Sequence, residues 1–229
     1  IVKELLKYAS IPVIVNPNAG LPRSENGKTV FDVGAEEFAE DMEEIVTMGA
    51  WFAGGCCGTT PAHIQAMVEK CKEITPVPIA PKNYTFVTSY STAVELGGRP
   101  VIIGERINPT GKSKFKQALR DHNIDYILEE GVKQEDSGAH ILDVNVGLPE
   151  IDEAAMMETI VYELQSIMPI PLQIDTTNME AMERALRIYN GKPMINSVNG
   201  KQEIMKQVFP LAKKYGGVVV GLALDEDGI

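Results

Sequence analysis

The sequence predicts an α/β protein in which helices cover a parallel sheet. Short apolar strands alternate with amphipathic helices along most of the chain, and polar side chains follow the strands of its second half. Such an alternation is typical of parallel sheets with helices on their faces. Both a doubly wound sheet and a (β/α)8 barrel fit the order of the elements.

The composition is that of an ordinary globular protein. The chain has 229 residues, of which 44% are hydrophobic, and a formal net charge of -11. This negative charge argues against a nucleic-acid partner or an anionic membrane surface, and we find no apolar run long enough to span a bilayer. Three cysteines do not form a disulfide framework, so we expect a reducing, cytoplasmic location.

The first 74 residues contain the first group of predicted elements. Apolar spacing predicts helices over residues 1–9, 35–48 and from 61 onward, strands over 11–15 and 51–53, and a loop between residues 16 and 34. Cys71 lies on the apolar face of the third helix. We therefore expect it in the core and not among metal ligands.

The alternation of strands and helices stops after residue 74. Pro76, Pro78 and Pro81 exclude a helix and disfavour a central strand, and no helical period follows them. We interpret residues 75–97 as an interdomain linker.

A second series of strands and helices follows this segment. We predict strands over 101–105, 141–145, 172–175, 194–197 and 218–224, and helices over 114–137, 152–167, 177–189 and 201–214. Thr177 and Glu180 have the spacing of a capping box at the start of the third of these helices.

Polar side chains stand near the ends of four of these strands. They are Glu105, Arg106, Asn108, Asp143, Asn145, Asp175 and Asn196. The carboxyl ends of successive strands converge in a barrel, where active sites lie, and this favours a barrel over a doubly wound sheet. No Gly-x-Gly-x-x-Gly loop follows any strand, which weakens a dinucleotide-binding fold. The alternative is that the Asp and Asn residues only cap the next helices.

Two adjacent cysteines, Cys56 and Cys57, stand among glycines at the end of a predicted strand. Neighbouring thiolates with a closely approaching backbone suit a soft metal ion such as zinc. Thr60 and Pro61 have the residue types of a helix N-cap and first position, and we expect that helix terminus to lower the pKa of the thiols. The alternative is a tight turn holding two buried, inert thiols.

Several motifs carry a resemblance to a known family. The run Gly-Gly-Cys-Cys-Gly-Thr-Thr-Pro at 54–61 resembles the signature of homocysteine S-methyltransferase domains. The runs at 101–111, 138–147, 174–178 and 194–197 resemble the first strands of a pterin-binding domain. In this order, the two modules resemble the N-terminal half of cobalamin-dependent methionine synthases.

The resemblance implies two incomplete (β/α)8 TIM barrels joined by a linker. Residues 1–74 would end a homocysteine-binding zinc barrel, 75–97 would form the linker, and 98–229 would begin a pterin-binding barrel. The implied activity is methyl transfer from 5-methyltetrahydrofolate to homocysteine through cobalamin, forming methionine and tetrahydrofolate.

The resemblance also leaves alternatives for the partners. The cobalamin would be carried by another domain of the same polypeptide or by a separate corrinoid protein. Another possibility is a two-module methyltransferase that serves a different corrinoid protein, or a folate- and zinc-binding module without turnover.

By the same resemblance, Cys56 and Cys57 match two of three zinc-binding cysteines, and Asn18 matches a loop asparagine that approaches the metal. Asp175 and Asn196 match residues that hydrogen-bond the pterin ring. The remaining ligands of both sites would lie outside the chain, so we expect both sites to be incomplete and assign no catalytic residue.

Other polar residues extend the predicted pterin and folate site. Asp143, Asn145 and Asn108 are expected to line the pterin pocket. Lys112, Lys114 and Lys116 fall in a segment without acidic residues at the mouth of the second barrel, and could attract the anionic folate tail. The alternative is a solvated helix start.

Overall fold

The computed structural model describes residues 1–226 and 228. The chain forms two compact units, one spanning residues 1–83 and the other beginning at residue 84. Among the described residues, no helix combines the length and apolar character needed to cross a membrane.

The first unit contains three helices, one pair of parallel strands and one hairpin. Its elements are α1 (Val2–Tyr8), β1 (Ile14–Val15), β2 (Arg23–Glu25), β3 (Lys28–Val30), α2 (Ala35–Met48), β4 (Phe52–Ala53) and α3 (Pro61–Cys71). Strands β1 and β4 pair in parallel.

The prediction of a continuous loop between residues 16 and 34 is wrong, because β2 and β3 form an antiparallel hairpin there. Asn26 and Gly27 have φ values of 51° and 74°. Asn-Gly is the favoured sequence for a two-residue hairpin turn, since both central residues need positive φ.

The core of the first unit lies between α2 and α3. Its buried residues are Phe38, Ala39, Met42 and Met67. Cys71 is half-buried against this cluster, on the face that the sequence predicts, and burial raises the pKa of its thiol. The Cys71 side chain therefore serves packing.

The second unit consists of a hairpin followed by alternating parallel strands and helices. Its elements are β5 (Thr85–Thr88), β6 (Ala93–Leu96), β7 (Ile103–Ile107), α4 (Ser113–Arg120), α5 (Ile124–Asp136), β8 (Ile141–Val144), α6 (Glu153–Ile167), β9 (Leu172–Asp175), α7 (Met179–Ile188), β10 (Met194–Val198), α8 (Gln202–Tyr215) and β11 (Val218–Gly221). Strands β7 to β11 form one five-stranded parallel sheet in chain order. The α/β class with a parallel sheet is thus confirmed.

Strands β5 and β6 form an antiparallel hairpin within the segment that lacks a helical period. The backbone of Thr88 exchanges hydrogen bonds with Lys192, at 2.9 and 3.1 Å. The Tyr189 hydroxyl donates to the Thr88 carbonyl at 2.9 Å and accepts from the Leu172 N–H at 2.9 Å. These contacts are long-range, so local sequence patterns do not predict them.

Two local predictions in the second unit are wrong. The single helix predicted over residues 114–137 is divided into α4 and α5 by His122, with φ of 50°, and by Asn123, whose side chain caps α5 by accepting from the Tyr126 N–H. Turn-forming residues interrupt the backbone although the apolar period continues across them. The capping box at Thr177 is replaced by Asn178, which accepts from the N–H groups of residues 180 and 181.

The two faces of the sheet differ in their partners. Leu142 and Val144 of β8 belong to the large core beneath the helices. Ile141, on the other face, packs with Val87 of the hairpin and Met194. Because side chains alternate along a strand, Asp143 shares the face of Ile141 and lies nearer the carboxyl end. The hairpin therefore covers one end of this face, and polar groups occupy the other.

Candidate functional site

Four polar side chains meet near the carboxyl ends of β8, β9 and β10. Asn145 Nδ2 donates to Asp175 Oδ2 at 2.9 Å, and Asn196 Nδ2 donates to Asp143 Oδ1 at 3.3 Å. The register aligns the strands so that Asn196 stands opposite Asp175. The structure thus brings together four residues that the sequence singles out at separate strand ends.

Gln173 is a member of this cluster that the sequence prediction missed. It stands opposite Asp143 in the register of β8 and β9, and its Nε2 donates to Asp143 Oδ1. A polar residue inside the apolar run Leu172–Asp175 is the signal that could have identified it. It was missed because only residues at strand ends were considered, and Gln173 lies at the second position of β9.

Asp143 is a buried carboxyl with an altered pKa. Burial raises this pKa to about 6, the hydrogen bonds from Gln173 and Asn196 oppose the rise, and the charges of Asp175 and Glu105 add to it. Burial dominates because it penalises the charged form of the group. Asp143 therefore takes up a proton at a higher pH than an ordinary aspartate does.

The orientation of the Asn145 amide follows from its backbone neighbour. The Gly147 N–H donates to Asn145 Oδ1 at 2.9 Å, which leaves the Asn145 NH2 group to face Asp175. Asp175 is half-buried at the last position of β9. A carboxylate in this position can accept two N–H groups from one planar ring, and an amide such as Asn196 can donate and accept at once.

The remaining residues predicted for this site have local partners. Asn108 is buried and uses its Oδ1 to accept from the Thr110 N–H at 2.8 Å, which closes the turn after β7. Lys112 Nζ lies 3.4 Å from the Glu105 carboxylate, and Lys114 Nζ lies 4.6 Å from the centre of the Tyr126 ring. Lys116, on α4, is half-buried.

The adjacent cysteines of the first unit form a separate polar site. Cys56 and Cys57 are both exposed, with their sulfur atoms 3.8 Å apart. Asn18 Oδ1 accepts from the Cys57 N–H at 3.1 Å, and the Cys56 N–H donates to the Pro17 carbonyl at 2.9 Å. The alternative of two buried thiols is therefore wrong.

Glycines permit the close backbone approach in this loop. A Cβ at Gly54 would stand 2.4 Å from Asn16 Oδ1, and a Cβ at Gly58, where φ is +82°, would stand 2.3 Å from the ring of Phe31. No ordinary side chain fits at such distances. The chain beyond begins α3 with Thr60 as N-cap and Pro61 at the first position, as the sequence predicts.

The predicted lowering of the thiol pKa values is wrong for Cys57. Its hydrogen bond with the Cys56 thiol, followed by the charge of Cys56, raises the pKa of Cys57. A thiolate at Cys57 would face a second sulfur at close range, and this disfavours its charged form.

The geometry of the two sulfur atoms fits a shared tetrahedral ion. Zinc–sulfur bonds of about 2.3 Å at a tetrahedral angle separate two thiolates by about 3.8 Å. The observed separation is 3.8 Å. Among the described residues, no cluster of three or more His, Cys, Asp or Glu side chains surrounds a possible ion.

Comparison with known families divides the chain in two. A family described as Pterin binding enzyme matches residues 104–227, and one described as Homocysteine S-methyltransferase matches residues 1–71. Among curated proteins, the methionine synthases of Mycobacterium leprae and Mycobacterium tuberculosis are 32% and 30% identical over 240 and 234 residues. Each alignment covers 99% of this chain, which spans only 20% of either relative.

Among solved structures, the chain is similar to 7,8-dihydropteroate synthase from Vibrio fischeri. The TM-score is 0.44 at 19% sequence identity, and the match covers 61% of this chain and 49% of that chain.

Proposed function

The chain belongs to the pterin-binding enzyme family, and from this premise we propose that its second unit binds the pterin ring of a folate. The observation that carries the proposal is the polar cluster at the carboxyl ends of β8 to β10, inside the matched region. Asp175 would accept the adjacent N–H groups of the ring, and Asn196 would offer its carbonyl oxygen. Asn145 would hold Asp175 in place.

We further propose that the first unit binds homocysteine at zinc. Its match to homocysteine S-methyltransferases and the 3.8 Å separation of the sulfur atoms of Cys56 and Cys57 support this assignment. Zinc, when bound, would supply an open position at which a thiol loses its proton at neutral pH. Cys56 and Cys57 would be ligands, while Asn18 would support the loop through the Cys57 N–H.

The two sites together support one reaction. We propose that the complete enzyme transfers a methyl group from 5-methyltetrahydrofolate to homocysteine through cobalamin held outside this chain. The similarity to two methionine synthases over nearly the whole chain supports this order of modules. We also propose that each unit is part of a (β/α)8 barrel, with two parallel strands in the first and five in the second.

We propose a role for the basic helix start as well. Lys114 and Lys116 on α4 would attract the anionic tail of the folate, whereas Lys112 is engaged by Glu105. Replacing Lys114 and Lys116 with Ala should weaken the binding of a polyglutamylated folate more than the binding of a monoglutamate. Equal losses would contradict this role.

Ligand titration tests the pterin site. Calorimetry with a folate should give about 10- to 100-fold weaker binding for Asp175→Ala, because a charge-assisted pair of hydrogen bonds is lost. Asp136→Asn, at the exposed end of α5, is the matched control and should bind as the wild type. Unchanged affinity in Asp175→Ala would contradict the proposed pterin site.

Cobalt substitution tests the metal site. Thiolate coordination of Co²⁺ produces a charge-transfer absorption. We expect this absorption in the wild type and its loss in Cys56→Ser and in Cys57→Ser. With two thiolates only, binding should be weak. Cys71→Ser, in the core of the same unit, is the control and should keep the absorption. Absorption retained without Cys56 and Cys57 would place the metal elsewhere.

A further inference from the structure

Asp143 and Gln173 form a buried polar pair with one unsatisfied hydrogen-bond acceptor. The two residues are 3% and 5% exposed, and Gln173 Nε2 donates to Asp143 Oδ1. Gln173 Oε1 is fully buried and meets no donor among the described residues. A buried acceptor without a donor is costly, so native structures seldom leave one unsatisfied.

One proton on Asp143 would supply the missing donor to Gln173 Oε1. If Asp143 is protonated on Oδ2, this hydroxyl can donate to Gln173 Oε1 while Asp143 Oδ1 continues to accept from Gln173 Nε2. The result is a cyclic arrangement of a carboxylic acid and an amide. Both side chains come from facing register positions of β8 and β9, which suits two parallel hydrogen bonds.

We propose that Asp143 and Gln173 hold this single proton reversibly and act through Asn196 as a pH-dependent positioning pair for the ligand. The role in ligand binding rests on the proposed pterin site, whereas the shared proton does not. Asp143 is then a positioning residue that does not itself need to contact the pterin.

The coupling follows from the second hydrogen bond of Asp143. Asn196 Nδ2 donates to the same Oδ1, at 3.3 Å, which directs the Asn196 carbonyl oxygen away from Asp143. An ionised carboxylate accepts this bond more strongly than a neutral acid does. The Asn196 amide is therefore held most firmly when Asp143 is charged, and less firmly once the pair takes up its proton.

Burial first, and then the surrounding charges, set the pH of this change. Glu105 on β7 and Asp175 on β9 act on Asp143 with negative charge, while β10 contributes the neutral Asn196. Burial and these charges together raise the pKa of Asp143 to about 6. The pair should therefore change state between about pH 5 and pH 7.

Carbon-13 NMR tests the shared proton without any ligand. In protein labelled at the side-chain carboxyl and carboxamide carbons, Asp143 is assigned by Asp143→Asn and Gln173 by Gln173→Met. Both carbons should titrate with one midpoint near pH 6, because the Gln173 carbonyl gains its donor only when Asp143 is protonated. A Gln173 carbon that does not follow Asp143, or an Asp143 midpoint near the ordinary value of about 4, would overturn the pair.

Ligand affinity tests the coupling through Asn196. The probe is a folate analogue whose ring does not titrate between about pH 5 and pH 7. Its affinity for the wild type should fall about three- to tenfold as pH decreases across this range, the change expected for one weakened hydrogen bond. In Asp143→Asn the affinity should not change with pH, while Asp136→Asn should follow the wild type.

The two measurements separate the inference from the proposed function. An equal pH dependence in Asp143→Asn and wild type would overturn the coupling. Absence of folate binding at every pH would reject the pterin site and, with it, the ligand role of the pair. The NMR titration would still decide whether Asp143 and Gln173 share a proton.

Discussion

The two units of this chain contain similar elements but bury them to very different extents. In the second unit, every position of β8 is buried and 27 buried hydrophobic residues form one cluster among the described residues. In the first unit, the corresponding cluster has four buried residues, and the strand residues Ile14 and Phe52 are 62% and 56% exposed. A parallel strand needs cover on both faces, and a pair of strands cannot supply it. Stability should therefore be concentrated in the second unit.

The largest expected effect comes from the small core of the first unit. Met42 is fully buried in a cluster of only four buried residues, so Met42→Ala should cost about 2–5 kcal/mol and abolish the folded first unit. The chain has one tryptophan, Trp51, whose Nε1 donates to the Val77 carbonyl at 2.8 Å. Its fluorescence therefore reports the first unit alone. Because Trp51 is already 42% exposed in the folded unit, the shift of its emission to that of a fully solvated tryptophan should be moderate.

Leu164→Ala is the matched variant for the second unit, since Leu164 is also fully buried. It should cost a similar free energy, about 2–5 kcal/mol, but leave the Trp51 emission unchanged. The comparison would be reversed if the first unit stayed folded in Met42→Ala while the second unit unfolded in Leu164→Ala.

The pH dependence of unfolding should differ between the units. The folded pKa of Asp143, about 6, lies above the ordinary 3.8, so the folded state binds more protons between these values. The stability contributed by this group is complete below about pH 4 and is lost as pH rises through about 6, by up to about 3 kcal/mol.

Urea titrations followed by far-UV circular dichroism should show this loss in the second unit between about pH 4 and pH 7. Asp143→Asn should remove it, while the Trp51 transition should not show it. If the free energy of unfolding changed with pH equally in the wild type and in Asp143→Asn, Asp143 would not be the group responsible.

One buried hydroxyl helps to hold the hairpin of the second unit. Tyr189 joins the Thr88 carbonyl to the Leu172 N–H, and burial raises its pKa to about 12. Tyr189→Phe leaves the Leu172 N–H without an acceptor, while the Thr88 carbonyl keeps the Lys192 N–H, and should cost about 1–3 kcal/mol. Hydrogen exchange should quicken at the Leu172 amide and across β5 and β6. Tyr162→Phe, at an exposed position, is the control, and equal exchange in both variants would argue against this link.

The smallest expected effects are those of helix caps, and they compare the units directly. Thr60→Ala in the first unit and Asn178→Ala in the second each remove an N-cap and should cost about 1 kcal/mol. The same loss is a larger fraction of stability where the core is small. The Trp51 transition should therefore move further in Thr60→Ala than the circular dichroism transition moves in Asn178→Ala. Equal shifts would show that the first unit is more stable than its core suggests.

The parallel strands of the second unit could be predicted from the sequence because each is a short apolar run next to helices. The predicted strand at 172–175 coincides with β9, and that at 194–197 differs from β10 by one residue. The division of the predicted helix 114–137 was missed because the apolar period runs through the break at His122 and Asn123. The hairpin β5–β6 was missed because its contacts with Lys192 and Tyr189 are distant in sequence.

The sequence alone left the exposure of Cys56 and Cys57 open. It did predict the alternation of elements, the glycine-rich cysteine loop at Gly54 to Gly58 and the polar ends of β8, β9 and β10. These features depend on local residue type and spacing. Three pairings required the folded chain: Asn145 with Asp175, 30 residues away, Asn196 with Asp143, 53 residues away, and Gln173 with Asp143. The register of neighbouring strands decides such pairs, and burial then sets the pKa of Asp143. Neither quantity can be read from the spacing of residues along one chain.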